Sequence, residues 1–238
     1  MDLYKVLHDV SCRDNAFISI SGSGGKTTLM ECFASYLRNA GKKVLITTTT
    51  KIRSPYIHDY HADMIFCDDS VLSYVPAGPC VVAYAIENRE TGKWSCPPLD
   101  NLDVLRKMYD VVLCEADGAR GLPLKMHTQR DPVIPSFCTY TVSVMGLRGM
   151  GKRVSDVCFG DDSTATVDDA YLDSYINCPE GLLKGSIPGS RAIVFNGAED
   201  IPEGSDVLAM LRNPDYPSDV LVCTASARSG KLFDIISG

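Results

Sequence analysis

The sequence predicts an α/β fold with a doubly wound, mainly parallel sheet and helices on both faces. Three observations lead there. Residues 16–50 read as strand, glycine loop, helix and strand; short apolar strands and helical stretches go on alternating to about residue 223; and no linker divides the chain.

The elements follow in order. Leu3, Val6, Leu7 and Val10 fall at helical spacing and predict a short amphipathic helix. Ala16–Ser21 is a short apolar strand that runs into Gly22-Ser-Gly-Gly-Lys-Thr-Thr28. Leu29, Cys32, Phe33, Tyr36 and Leu37 repeat at helical period, and Gly41 is placed to end that helix. Lys43–Thr50 is a β-branched strand, so the two strands should be parallel and joined by a right-handed crossover. Ala62–Cys67 and Cys80–Ile86 read as strands around a short helix near 71–74, and Asn88–Lys93 as a hairpin turn. Leu99–Tyr109 is helical, with Leu102, Leu105 and Met108 three apart. Val111–Cys114 and Tyr140–Met145 are buried strands, followed by Arg191–Phe195, a helix around Asp206–Leu211, and Asp219–Cys223. Glycine and charge mark 148–166 as a loop, a candidate mobile segment. There are no internal repeats, so residues 1–238 are expected to form one domain, with 62–98 as a candidate subdomain.

Composition limits the function. The chain has 238 residues, 45% apolar and 22% charged, ordinary values for a globular core. A net charge of −7 argues against coating nucleic acid or a membrane surface. No 18-residue apolar run exists, and acids interrupt the N-terminal stretch where an export signal would be apolar, so a cytoplasmic location is expected. Ten cysteines are scattered without a Cys-x-x-Cys pair, which favours reduced thiols over a structural zinc site.

The glycine loop carries the strongest chemistry. Glycines between a strand and a helix let successive N–H groups point at one anion, and the helix N-terminus adds partial positive charge. Gly22, Ser23, Gly24, Gly25, Lys26, Thr27 and Thr28 are therefore expected to hold nucleotide phosphate. Lys26 would reach the β- and γ-phosphates, and Thr27 would offer a hydroxyl to Mg²⁺. The long P-loop form has a glycine six residues before the lysine, where this chain has Ile20. The shorter form resembles that of the Mur ligases, and the expectation is a P-loop NTPase-like fold.

Ligands of open α/β sheets bind at the carboxyl ends of strands. Thr49 and Lys51 follow the second strand there. After Val111–Cys114 come Glu115 and Asp117, two apart and on one face. Both are candidate Mg²⁺ ligands or orienters of water, and with Lys26 they form the candidate catalytic set. Arg120 either stabilises phosphate or pairs with an acid. Asn196-Gly-Ala-Glu-Asp200 looks like a degraded form of the GTPase base-reading motif, and Thr224–Ala227 like the small-residue loop that supports guanine in those proteins; ATP and GTP both stay open. His58, His61, Asp59 and Asp63 sketch a metal cluster, although a solvated loop accounts for them better. Lys125–His127 and Asp131–Pro135 read as a surface connection.

Gly22–Thr28, Thr47-Thr-Thr-Thr-Lys-Ile52, Glu115-Ala-Asp-Gly-Ala-Arg120 with Leu122-Pro-Leu-Lys125, and Pro132-Val-Ile-Pro135 occur together in this order. That set resembles the YqeC family, regarded as accessory proteins of selenium-dependent molybdenum hydroxylases. The resemblance implies an NTP-binding accessory protein that matures such a hydroxylase or its cofactor, with those proteins as partners. It supplies no reaction. Slow NTP hydrolysis is one reading; an ATP-dependent ligase or transferase, or a non-catalytic cofactor chaperone, are the others. Asp131 stands where the family tends towards glutamate, and Gly197 where relatives more often carry a long polar residue.

Overall fold

A computed structural model describes residues 1–88 and 90–237. The chain opens with α1 (Leu3–Ser11), capped by Asp2, whose side chain accepts from the Lys5 N–H. The strand–helix–strand unit follows as β1 (Ala16–Gly22), α2 (Lys26–Asn39) and β2 (Lys43–Thr48). Next come β3 (Ile52–Arg53), β4 (Met64–Phe66), β5 (Cys80–Tyr84), β6 (Ile86–Asn88), β7 (Lys93–Ser95) and α3 (Leu99–Leu105). Then follow β8 (Val111–Glu115), β9 (Leu124–Lys125), β10 (Tyr140–Gly146), α4 (Val154–Val157) and β11 (Cys158–Phe159). The last third holds α5 (Asp169–Asn177), β12 (Arg191–Asn196), α6 (Val207–Met210), β13 (Val220–Ser226) and β14 (Lys231–Ser237).

Nine strands form one sheet in the order β14-β13-β12-β10-β1-β8-β2-β5-β4. Its pairs are parallel except β13–β14. Strands up to β8 lie on one side of β1 and later ones on the other. The winding therefore reverses at β1, which puts a crevice outside its carboxyl end.

Successive strand residues point to opposite faces, and both faces are covered. Ile18, Ile20, Val142 and Val194 pack with Leu7 of α1 and Leu29 and Phe33 of α2. On the other face Phe17, Leu45 and Val112 meet Leu102 and Leu105 of α3, while Met145, Ile193 and Phe195 meet Leu172 and Ile176 of α5. Burial on both sides is why the central strands read as continuous apolar runs. Truncating fully buried Phe33 or Phe195 to alanine would cost ~3–5 kcal/mol.

The structure revises several elements. The strand expected over Ala62–Cys67 shrinks to β4, whose Met64 and Ile65 are exposed at the sheet edge. Residues 62–98 divide: β4 and β5 join the main sheet, whereas β6 and β7 pair with β3 in a separate antiparallel sheet. The turn between β6 and β7 falls where expected, although Arg89 within it lies outside the described residues. Residues 148–166 are not one loop; they hold α4 and β11, because Val154, Val157 and Cys158 are buried in the α5 core. Helix α5 was not anticipated, yet Asp168 is a capping residue and Leu172, Tyr175 and Ile176 keep helical spacing. Among the described residues no helix is long and apolar enough to cross a membrane.

Candidate functional site

The glycine loop is fitted tightly between strands. Gly22 lies at φ 88°, and a Cβ there would sit 2.2 Å from the carbonyl oxygen of Val144, its neighbour in β10. Gly25 lies at φ 135°, and a Cβ there would sit 2.2 Å from Nδ2 of Asn196. Helix α2 starts at Lys26, so the unpaired N–H groups of its first turn open at the end of the loop.

Register brings the acids to that point. Glu115 is level with Ile20 in the β1–β8 pair, and two residues on Asp117 reaches the loop itself. Asp117 Oδ2 accepts from the Gly22 N–H at 2.8 Å and from His127 Nε2 at 2.7 Å. Its Oδ1 lies 2.9 Å from Lys26 Nζ, an ionic contact without hydrogen-bond alignment, so that buried oxygen has no hydrogen-bond partner among the described residues. Lys26 Nζ donates to the Gly22 carbonyl at 2.7 Å and lies 3.8 Å from Glu115 Oε1. Thr27 Oγ1 donates to Glu115 Oε2 at 2.8 Å. The lysine thus curls back over its own loop and is held between two carboxylates.

Behind this set lies a second ring of buried charge. Lys125 donates to the Gly118 carbonyl at 2.6 Å and pairs with Asp131. His127 Nδ1 is 2.8 Å from the Gly181 carbonyl; a carbonyl only accepts, so Nδ1 carries hydrogen. This corrects the reading of Lys125–His127 as a surface connection, since Lys125 and His127 are 1% and 3% exposed. A turn at Arg120 and Gly121, closed by the Leu122 N–H donating to the Ala119 carbonyl, leads into β9, which pairs with β11. The signal available in sequence was the Leu122-Pro-Leu-Lys125 stretch that travels with the acid pair.

The electrostatics follow from burial and partners. Burial opposes charge on Asp117, but Lys26, the His127 hydrogen bond and Lys125 outweigh it and hold the carboxyl at about 2. Glu115 goes the other way: burial raises it, and Lys26 and Thr27 offset this only in part. Burial lowers Lys26, yet Asp117 and Glu115 more than compensate and leave it raised.

Two clefts flank the loop. One, of about 630 Å³, is lined by Lys26, Thr27, Glu115, Lys51 and Arg120 together with the small β3–β7 sheet. The other, of about 590 Å³, runs from Gly24, Gly25 and Thr28 past Asn196 to Glu199, Ser226 and Arg228. Ser23 and Thr28 reach the first cleft as well. Arg120 pairs with no acid among the described residues; its guanidinium lies 5.0 Å over the Phe159 ring. Thr49 is turned away, donating to the Val133 carbonyl at 2.6 Å. Asn196 bridges two backbones: Nδ2 donates to the Gly24 carbonyl at 2.8 Å, and Oδ1 accepts from the Ala227 N–H at 2.8 Å. Glu199 accepts from the Ser226 hydroxyl at 2.5 Å.

The histidine sketch comes apart. His58 meets Glu31, and His61 lies 3.3 Å from Asp59. Among the described residues no group of three or more His, Cys, Asp or Glu converges on a metal position. All ten cysteines are free thiols, and burial pushes Cys223 up to about 12 and Cys12 up to about 11, away from thiolate reactivity.

A family model described as YqeC protein matches residues 18–161, a span that holds the glycine loop, the acid pair and the buried ring behind them. A protein of Escherichia coli (strain K12), described as the uncharacterized protein YqeC, is 32% identical over 194 residues, spanning 75% of this chain and 74% of the relative.

Proposed function

We propose, for a chain that belongs to the YqeC family, that the glycine loop binds a Mg²⁺–nucleoside triphosphate, ATP or GTP, on a P-loop NTPase-like fold. The observation that carries this reading is the convergence of Lys26, Thr27, Glu115 and Asp117 at the start of α2. A bland glycine turn has no use for a buried lysine between two carboxylates.

The donor set suits magnesium. Thr27 Oγ1 and Glu115 Oε2, 2.8 Å apart, are hard oxygens. With no all-protein metal cluster among the described residues, the remaining ligands would be nucleotide oxygens and water. The ion would neutralise charge on the phosphates. Lys26 and the first-turn N–H groups of α2 supply further positive charge there. Glu115, the acid that lines the cleft, meets the ion or orients the attacking water. Asp117 is a positioning residue: it ties the Gly22 N–H to Lys26 and His127. The reaction is slow hydrolysis coupled to a conformational or delivery step, and the family resemblance supports a role in maturing a selenium-dependent molybdenum hydroxylase or its cofactor. A ligase or transferase reading is favoured by one observation, the continuation of the cleft past Glu115 towards Arg53 and Lys93.

Equilibrium binding of Mg²⁺–ATP and Mg²⁺–GTP to wild type, Lys26→Ala and Thr27→Val, with phosphate release followed in the same samples, tests the proposal. Binding that depends on Lys26 supports it, and turnover beside binding favours hydrolysis over a chaperone. No binding of either nucleotide to the wild type overturns it.

A further inference from the structure

The larger cleft is cationic in a chain whose net charge is −7. Lys26, Lys51, Arg53, Lys93 and Arg120 line it, and Glu115 is the sole acid among its lining residues. Lys26 lies between Glu115 and Asp117 and belongs to the glycine loop. The other four form no ion pair among the described residues. Arginines elsewhere are either paired with an aspartate, as Arg38, Arg106, Arg191 and Arg212 are, or unpaired, as Arg13, Arg130, Arg148, Arg153 and Arg228 are. What marks this cleft is the gathering of four such cations around one acid.

Two of the four are held together at a cost. Arg53 and Lys93 are direct cross-strand partners in the antiparallel β3–β7 pair. Like charges directly opposite one another destabilise a sheet. The neighbouring pair, Ile52 opposite Trp94, anchors the same small sheet from beneath: Trp94 is 1% exposed and stacks on Tyr60 with ring centroids 5.0 Å apart. The Tyr60 hydroxyl donates to the Arg53 carbonyl at 2.5 Å. The platform is thus packed so that two cations without an ion pair stand side by side in the lining of the cleft that also holds the glycine loop.

We infer that this wall is a second binding site, separate from the glycine loop, for a phosphorylated small molecule held by Arg53 and Lys93 with help from Lys51 and Arg120. Guanidinium forks match phosphate oxygens, and a dianion offsets two cations where a single carboxylate offsets one. The cleft of about 630 Å³ takes in the glycine loop as well as this wall, so what the wall holds is a small molecule rather than a polymer. The net charge of −7 repels nucleic acid at longer range. That this ligand would lie beside a nucleotide's terminal phosphates rests on the nucleotide reading; its anionic chemistry does not.

The test is calorimetric titration of the full chain with inorganic phosphate at fixed ionic strength, with and without a saturating non-hydrolysable Mg²⁺–ATP analogue. The wild type is compared with the Arg53→Gln/Lys93→Gln double variant and with Lys26→Ala. The expected result is phosphate binding that persists in the nucleotide-loaded protein. The double variant should weaken it about tenfold or more, while nucleotide affinity stays within about threefold. Because an opposed like-charge pair is removed, the double variant should melt no lower than wild type, so a lost site cannot be mistaken for a lost fold. Phosphate displaced by the analogue and indifferent to Arg53 and Lys93 overturns the second site. So does a double variant that loses nucleotide and phosphate affinity alike. If the analogue fails to bind the wild type, the nucleotide reading falls alone: phosphate binding that needs Arg53 and Lys93 but not Lys26 still upholds this site.

Discussion

His127 Nε2 lies 2.7 Å from Asp117 Oδ2, at a point where both side chains are 0% exposed. The same carboxylate accepts from the Gly22 N–H and lies against Lys26, so one aspartate joins the loop's backbone, its lysine and a histidine from the segment after β9. The loop is held in shape by charge as much as by glycine geometry.

Removing Lys26 should therefore do two things. Lys26→Ala should abolish nucleotide affinity and also destabilise the fold, by less than the ~3–5 kcal/mol of a fully orphaned buried charge, since Asp117 loses its nearest cation but keeps His127 and, at 3.9 Å, Lys125. Adding Asp117→Asn should restore part of that loss. Thermal melting of the four-member cycle checks the coupling; strictly additive effects would remove the pair from the stability argument.

Asp117 predicts a particular acid limb. Its carboxyl is held at about 2 against an ordinary 3.8, so the folded chain binds that proton less tightly than the unfolded chain. The associated stability, about 2 kcal/mol, is complete above pH ~4 and is lost as the pH falls towards 2. Glu115, raised instead, works in the opposite sense: its contribution is present below its ordinary value and lost as the pH rises. Asp117→Asn should melt lower than wild type at neutral pH, and the gap should close between pH ~4 and ~2. A gap that stays constant across that window would exclude Asp117 as its source.

Glu115→Gln separates chemistry from binding. The amide oxygen can still accept from Thr27, and a charge that burial disfavours is removed, so the fold should be unharmed. Phosphate release at saturating Mg²⁺–nucleotide should fall on the order of 10²-fold. Undiminished turnover would remove Glu115 from the reaction.

Asn196→Ala tests whether that residue reads a base. Both ends of its amide already meet backbone groups, at Gly24 and Ala227. ATP and GTP affinities should therefore fall together, by about tenfold, as the loop loses a brace. Selective loss of one nucleotide in paired titrations would restore Asn196 as a base-reading residue.

Much of this was legible along the chain, and for local reasons. A glycine run between an apolar strand and a 3.6-period helix can be recognised from its own residues, and Glu115 and Asp117 are two apart wherever the strand ends. Other features resisted because their signals are compositional. Glycine and charge at 148–166 pointed to a loop, while the few apolar residues there, Val154, Val157 and Cys158, found a core contributed by α5 and β12. Lys125, His127 and Asp131 are polar whether they face water or a buried carboxylate, and nothing near them in sequence tells which.

By itself, then, the sequence determined the alternation of elements, the glycine loop between β1 and α2, and the acids at the end of β8. Only the tertiary structure decided that Lys26 sits between those acids, that His127 and Lys125 are buried behind them, that Asn196 braces the loop, and that Arg53 stands beside Lys93 across the β3–β7 pair. The physical reason is range. Backbone conformation and apolar period are set by neighbours a few residues apart, whereas register between strands tens of residues apart fixes which charges meet, and a charge's partner determines its burial, its protonation and its use.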